Sequence, residues 1–540
     1  MPMSRRPLLL TLGFAATALL GYWLATTAAP RPIVRVKSAS PEAVVARTTI
    51  IDEAAPRFRR ENRVATAWHD DEAVAAGALP GQRTLVFKDK AALEEFLKRA
   101  GDKVRLLGRL DGLNALRIGF SNGADLASLL TGEEEASLIY PVDVPTPGDG
   151  SVQPGAVALG AGLLDWLGIT GDNSAWGKGV TVAVLDTGVA SSKGFSSQIS
   201  LLNLVELLSD PSAQSGHGTA VASMIIGRNS QTPGVAPGAD ILSIRIANDA
   251  GQSDSYLLAQ GIVAAVDAGA SLINISMGSF GDSALVRNAI EYARAAGALI
   301  IAAAGNNGLK RVTYPAANSG VIAVGAVDAL GNHLEFSNSG AQVAISAPGF
   351  GVNAAWTGDQ AASVSGTSFS APIVAGAIAA LMSQPGAARL TAQQAQALLF
   401  AYLNDGGEAG NDVALGGGTP DIGRVLNGKK RGIYDAALAS QRLIPPDAAF
   451  PYGQVEIMVQ NRGTEMLINT GVKISTPSGL VNSNITSLPV NGVKTLRVPI
   501  SPRAGGALQY TSEVRLSGGR TDSKPSNDRR AETYVPSVGK

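Results

Sequence analysis

The sequence has no cysteine in 540 residues, which excludes disulfide bonds, thiol nucleophiles and cysteine-ligated zinc. Histidine is nearly as scarce, since the chain has three: His69, His217 and His333. Chemistry that depends on an imidazole must therefore use one of these residues.

An excess of charge of one sign is also missing, because 44 basic and 44 acidic residues give a formal net charge of zero. A nucleic-acid-binding protein needs a basic excess, so no nucleic-acid partner is expected. With 45% hydrophobic residues, the composition is that of a globular protein. At roughly 100–200 residues per domain, the length predicts several folded units.

Residues 1–30 combine a basic start with an uncharged apolar stretch. Arg5 and Arg6 precede this stretch, which runs from Pro7 to Ala29. It is longer than the about 7–15 apolar residues of a cleaved signal peptide, and it reaches the about 20 residues that span a membrane. The segment is therefore predicted to be a signal peptide or a membrane anchor. Either interpretation places the rest of the chain outside the cytoplasm, secreted or held at the membrane.

Residues 31–82 are polar and irregular and stay unassigned, whereas 83–142 show a clear pattern. Apolar residues recur at helical spacing in 90–100 and 124–130, between short apolar segments that predict four strands, the last at 138–142. The order βαββαβ is typical of a ferredoxin-like α+β domain. Residues 143–159, rich in proline and glycine, are predicted to be a linker.

From 160 to 428, largely apolar strands alternate with helical patterns. This alternation indicates the α/β class, with a parallel sheet and helices on both of its faces. In such sheets, functional residues lie beyond the carboxyl ends of the strands. The predicted strands are 182–185, 241–246, 272–276, 299–304 and 321–327, and the predicted helices are 219–226, 255–268, 283–296, 371–382 and 391–403.

The C-terminal part of the chain changes to an all-β pattern. Residues 429–450 are predicted to be a linker. In 451–540, five strand-length segments are separated by turn signals such as Asn491-Gly492, which predicts a small β-sandwich.

Three segments of the α/β region carry reactive residue types. VTVAVLDTGV ends a predicted strand at Asp186, SGHGTAVASMIIG places His217 at the start of a helix, and VSGTSFSAPIVAGAIAAL places Ser368 before a helix predicted to begin near Pro372. An imidazole between two glycines has room for two partners, and a strand-end carboxylate can hold its tautomer. Backbone N–H groups at a helix start suit a developing oxyanion.

These segments, in the order Asp, His, Ser, resemble the subtilisin family of serine peptidases. The resemblance covers about 160–428 and implies a catalytic triad of Asp186, His217 and Ser368. It also implies that Asn306, in AAAGNNG, donates to the oxyanion together with the Ser368 N–H, helped by the Thr367 hydroxyl. NISMGS resembles the family's substrate-pairing strand, which makes Ser276, Met277 and Gly278 candidate substrate-binding residues, with Thr367 as the fourth.

The flanking domains also resemble known modules. The 83–142 unit is similar to the family's inhibitory propeptide, which implies a self-processed zymogen cut within about 143–159. The C-terminal sandwich resembles CARDB-like modules of exported bacterial proteins. The resemblance implies protein or peptide substrates and no required cofactor. Many members bind calcium, but no carboxylate loop here matches a calcium site, so calcium stays unassigned.

Two other classes of function use similar residues. An α/β-hydrolase esterase places its catalytic histidine after the nucleophile in the sequence. No histidine follows His333, so none could act as the base for Ser368 in that order. A non-catalytic peptide-binding protein on the same scaffold is disfavoured by the presence of all three triad residues and Asn306. The sequence therefore predicts a serine endopeptidase that acts through an acyl-enzyme.

Overall fold

The computed structural model describes residues 70–145, 152–195, 199–205, 216–384, 388–500 and 508–534. The predicted signal peptide or anchor, 1–30, lies outside these ranges, as does most of the unassigned region 31–82. Within them, none of the helices has the length and apolar character needed to cross a membrane.

In the described part of the chain, a seven-stranded parallel sheet forms the centre of the fold. The five strands predicted from apolar runs are all present, to within two residues at each end. Two edge strands that had no such signal, Ile199–Asn203 and Val343–Pro348, complete the sheet. In order across the sheet, the strands are Val343–Pro348, Val321–Val327, Leu299–Ala303, Leu272–Ile275, Thr181–Asp186, Asp240–Arg245 and Ile199–Asn203.

Helices cover both faces of this sheet, as the continuously apolar strands predict. One face packs against the histidine helix (His217–Ile226), the serine helix (Thr367–Met382) and Ala392–Phe400. The other face packs against Ser255–Asp267 and Ala284–Ala295. Smaller helices in this domain are Leu163–Trp166 and Ile422–Asn427, and two short hairpins pair Arg228–Asn229 with Thr232–Pro233 and Val352–Ala355 with Ala361–Val364.

The serine helix begins earlier than predicted. It starts at Thr367 rather than near Pro372, so Ser368 lies in its first turn and not ahead of it. Proline is best tolerated where its missing N–H is not needed, which favoured the later start. Here Pro372 lies one turn inside the helix, and the carbonyl it would have bonded obtains its hydrogen bond from another part of the chain, as described below.

The N-terminal α+β domain has a four-stranded antiparallel sheet packed against two helices. Its last strand is Glu135–Ser137 rather than 138–142, because the chain leaves this sheet after Ser137 and pairs elsewhere. The elements are, in chain order, Asp70–Ala75 (helix), Gln82–Val86 (strand), Lys90–Ala100 (helix), Arg105–Leu110 and Ala115–Gly119 (strands), Gly123–Leu129 (helix) and Glu135–Ser137 (strand).

The segment that follows enters the parallel-sheet domain. Pro141–Asp143, here called the bridging strand, pairs antiparallel with Gln252–Asp254. Val142 of this strand, Ile139 just before it and Leu110 of the N-terminal domain join the same hydrophobic core as the two helices on that face of the parallel sheet. The two domains are therefore packed together through apolar contacts as well as through strand pairing.

The C-terminal β domain consists of two antiparallel sheets around a shared core. Residues 429–450, predicted to be a linker, contain the strand Ala436–Ile444, so the domain begins before residue 451. The alanine-rich stretch of this strand gave no strand signal by itself. The first sheet contains Ala436–Ile444, Gln454–Asn461 and Val493–Pro499, and the second contains Gly479–Leu488, Leu467–Thr476, Leu508–Arg515 and Arg529–Tyr534.

Candidate active site

Asp186 and His217 form a buried hydrogen-bonded pair. His217 Nδ1 lies 2.8 Å from Asp186 Oδ1 and 3.0 Å from Oδ2; His217 is 8% exposed and Asp186 is 0% exposed. Asp186 Oδ1 also accepts from the Thr187 N–H at 2.7 Å, which fixes the carboxylate. A carboxylate on Nδ1 holds that nitrogen as the donor and leaves Nε2 as the basic nitrogen of the neutral ring.

The local sequence explains how these two residues meet. Asp186 is the last residue of a buried parallel strand, and His217 is the first residue of the histidine helix. The helix start can approach the strand because Gly218 has no side chain: a Cβ there would lie 2.3 Å from the carbonyl oxygen of Gly188.

Ser368 is fully buried in the first turn of the serine helix, beside the histidine. The rings of His217 and the next residue, Phe369, have centroids 5.2 Å apart. The Ser368 hydroxyl donates to the carbonyl of Ser276 at 3.1 Å. The nucleophile candidate, the imidazole and the end of strand Leu272–Ile275 therefore lie together at one edge of the sheet.

Pro372 and Ser276 together determine how the Ser368 carbonyl is bonded. In a regular helix this carbonyl would accept from the N–H of residue 372, which proline lacks. Instead the hydroxyl of Ser276 donates to it at 2.7 Å, and Asn274 Nδ2 donates in turn to the Ser276 hydroxyl at 2.9 Å. This chain of hydrogen bonds attaches the serine helix to the neighbouring strand.

Asn306 lies opposite the start of the serine helix. Its Oδ1 accepts from the Thr367 N–H at 2.9 Å and from the Thr367 hydroxyl at 2.7 Å, which leaves Nδ2 as the outward donor. Gly366, at φ 137°, is required here because a Cβ would lie 2.8 Å from Asn306 Nδ2. Thr367, predicted to bind substrate, therefore orients Asn306.

The other predicted substrate-binding residues use their backbone or their buried side chains. Met277 is buried in the core, and Ser276 bonds the serine helix as described. Gly278 exchanges two backbone hydrogen bonds with Asp143, N to O at 3.0 Å and O to N at 3.1 Å. Residues 276–278 thus form a strand edge that already pairs with a segment of the same chain.

Several residues of the site carried no recognisable sequence signal. Asn338 Oδ1 accepts from the N–H groups of Asn307 and Leu309 at 3.1 and 3.0 Å, so it shapes the turn that carries Asn306. The carbonyl of Pro145 accepts from Asn306 Nδ2 at 2.8 Å. Both contacts join distant parts of the chain, so a local motif could not reveal them.

The other two histidines lie away from this site or outside the described residues, and calcium has no assigned ligands. His69 is outside the described residues. His333 forms an isolated antiparallel β-bridge with Val327, and burial lowers the pKa of its ring. For calcium, the described ranges contain no group of three or more acidic or histidine side chains that could hold a metal ion.

Comparison with known proteins identifies relatives of the parallel-sheet domain. Residues 177–418 match the model of the subtilase family. The chain is 41% identical over 218 residues to the "Thermostable alkaline protease" of Halalkalibacterium halodurans, a match that spans 39% of this chain but only 58% of that protein. It is 38% identical over 216 residues to "Subtilisin Savinase" of Lederbergia lenta, covering 38% of this chain and 77% of that protein.

Among solved structures, the patellamide maturation protease PatA aligns with 46% of this chain and 96% of its own length. The sequences are 33% identical, and the TM-score is 0.40.

Proposed function

Because this chain belongs to the subtilase family, we propose that it is a serine endopeptidase that hydrolyses protein or peptide substrates through Asp186, His217 and Ser368. The observation that carries the proposal is the buried Asp186–His217 pair beside the first turn of the serine helix. The Asn306 amide, held with its N–H group outward, supports it independently.

In the proposed mechanism, His217 Nε2 removes the proton of the Ser368 hydroxyl as the serine oxygen bonds to the substrate carbonyl carbon. Asn306 Nδ2 and the Ser368 N–H stabilise the negative oxygen, and Asp186 stabilises the imidazolium. His217 then gives its proton to the departing amine, leaving an acyl-enzyme that water hydrolyses by the same route. The Ser368 hydroxyl must first leave the Ser276 carbonyl.

Substrate would bind by strand addition to residues 276–278, whose backbone groups are arranged to pair with an extended chain. No cofactor takes part in this scheme. A calcium requirement is tested by assaying hydrolysis after treatment with a chelator, with added calcium as the control.

The N-terminal α+β domain is proposed to be an inhibitory propeptide that is removed by the enzyme itself. Its docking supports this role. Arg117 forms a 2.8 Å ion pair with Asp254, and the Tyr140 backbone exchanges hydrogen bonds with Ser255. An N-terminal domain docked in this way would cover the substrate-binding edge until the chain is cut.

We also propose that the protein acts outside the cytoplasm, exported by residues 1–30, with its C-terminal CARDB-like sandwich serving to dock or space the enzyme. Fractionation of expressing cells would distinguish the two forms: an anchored protein stays with washed membranes, whereas a secreted one appears in the medium. An active protein found wholly in the cytoplasm would contradict export.

Hydrolysis of denatured casein and labelling by a fluorophosphonate test the enzymatic proposal. The wild type should show both, and Ser368→Ala should show neither. Ser363→Ala is the matched control, because this exposed serine lies five residues away on a separate strand. If Ser368→Ala hydrolysed casein as fast as the wild type, the proposed nucleophile would be wrong; if all three proteins were inert, the chain would be a binding protein.

A further inference from the structure

The bridging strand occupies the position of an extended peptide between two backbone edges. On one side, Val144 N donates to the Gly251 carbonyl at 2.9 Å, continuing the pairing with Gln252–Asp254. On the other side, Asp143 exchanges both of its backbone hydrogen bonds with Gly278. Alternate residues of one segment thus bond to opposite edges, as in the middle strand of an antiparallel sheet.

The carbonyl at the end of this segment lies at the candidate oxyanion donor. Asn306 Nδ2 donates to the Pro145 oxygen at 2.8 Å, although the two residues are 161 positions apart. Asn306 cannot turn this donor elsewhere without losing the two bonds from Thr367 to its Oδ1.

The strand register places Pro145 against Ser276. Asp143 and Gly278 are opposite each other, so antiparallel pairing places residue 145 opposite residue 276. At this position an ordinary residue would donate its N–H to the Ser276 carbonyl, and proline cannot. The carbonyl accepts from the Ser368 hydroxyl instead, at 3.1 Å.

From these contacts we infer that the chain cleaves itself after Pro145. The inference rests on the proposed function and specifies where that activity first acts. Ser368 Oγ bonds to the Pro145 carbonyl carbon as its proton passes to His217. The bond from that carbon to the nitrogen of Thr146 breaks, and the nitrogen takes the proton. Water then hydrolyses the ester, releasing a Pro145 carboxylate and restoring Ser368.

Proline at this position also slows the cut. Without an N–H, residue 145 lacks one hydrogen bond to the strand edge, and the Ser368 hydroxyl stays bonded to the Ser276 carbonyl. Pro145→Ala restores the N–H. We expect it to be cleaved about 2- to 10-fold faster, the range corresponding to one ordinary hydrogen bond.

The test uses the full chain and four proteins: the wild type, Ser368→Ala, Pro145→Ala and Pro154→Ala. The last is the matched control, because Pro154 is exposed and lies outside the strand pairing. Intact masses and N-terminal sequencing over time give the cut position and its rate. The expected result is a fragment ending at Pro145 and another beginning at Thr146 in the wild type, no cut in Ser368→Ala, and acceleration by Pro145→Ala alone.

Other outcomes separate this inference from the proposed function. A wild type that hydrolyses casein but is cut at another bond, or stays uncut, would overturn the inference and leave the protease proposal standing. A cut at Thr146 whose rate Pro145→Ala does not raise, or that Pro154→Ala raises equally, would overturn the placement of Pro145 against Ser276. Failure to cut, to hydrolyse casein and to react with a fluorophosphonate would instead overturn the function.

Discussion

Replacing Ser276 by alanine tests how the serine helix is attached to the sheet. The change removes the hydroxyl that donates to the Ser368 carbonyl at 2.7 Å, where Pro372 has no N–H to offer. Ser276 and Ser368 are both 0% exposed, so water cannot replace the lost donor without local opening. A buried carbonyl left without a partner costs about 1–3 kcal/mol, and we expect the free energy of unfolding to fall by that amount.

A double-mutant cycle identifies the cause of this loss. Pro372→Ala supplies the helix N–H that would bond the Ser368 carbonyl, so Ser276→Ala should cost less in that background. We expect a difference of about 1 kcal/mol, the usual contribution of one hydrogen bond. All proteins should carry Ser368→Ala, which keeps the backbone carbonyl and prevents self-digestion.

Urea denaturation followed by tryptophan fluorescence is the appropriate assay. Trp166, Trp176 and Trp356 all lie in the parallel-sheet domain and report its unfolding. The denaturant slope must stay constant across the four variants for the midpoints to be comparable. Equal costs of Ser276→Ala with and without Pro372 would refute the reasoning, because the carbonyl would then not depend on the serine hydroxyl.

Three further predictions concern catalysis, docking and pH. Asn306→Ala should lower kcat for a peptide substrate with little change in KM. The expected loss in kcat is about 10²–10³-fold, the value already known for loss of one oxyanion donor in subtilisin, and an unchanged kcat would exclude Asn306 as a donor. Arg117→Ala removes the ion pair with Asp254 and should shorten the inhibited period after self-cleavage about tenfold, whereas Arg109→Ala, whose partners lie in its own domain, should not. Burial first, and then neighbouring carboxylates, raise the pKa of Asp528 from 3.8 to about 7, so the folded chain keeps a proton that the unfolded chain releases. Stability of the C-terminal β domain should therefore fall as the pH rises from 4 to 7, and Asp528→Asn should flatten this dependence in urea midpoints.

The parallel sheet was predictable because its interior strands are buried on both faces. Leu299–Ala303 and, apart from Asn274, Leu272–Ile275 are therefore apolar runs that need no partner to be recognised. The edge strand Ile199–Asn203 is largely exposed and carried no such signal. The same limit applies to Ala436–Ile444, where alanine residues gave no strand signal and the pairing partner decides the conformation.

The site was predictable only in part, for a related reason. Asp186, His217 and Ser368 stand at the ends of elements with clear local patterns, so their segments could be recognised when taken together in the order Asp, His, Ser. The start of the serine helix at Thr367 depends on a hydroxyl from another strand, and the contact of Pro145 with Asn306 depends on how a separate domain docks. Neither partner is close in sequence, so no local pattern contains the information.

The two prolines of the site act in parallel ways. Each lacks the N–H that its position calls for, and in each case a serine hydroxyl bonds the carbonyl concerned. Ser276 donates to the carbonyl of Ser368, four residues before Pro372, and Ser368 donates to the carbonyl of Ser276, opposite Pro145.

The first bond is permanent because Pro372 belongs to the helix. The second lasts, on the self-cleavage proposal, only while Pro145 occupies the strand edge: a substrate with an N–H at that position would bond the Ser276 carbonyl itself and weaken its hold on the Ser368 hydroxyl. The same edge that aligns a substrate would then also prepare the nucleophile, and a proline before the scissile bond would be a poor substrate for the mature enzyme as well.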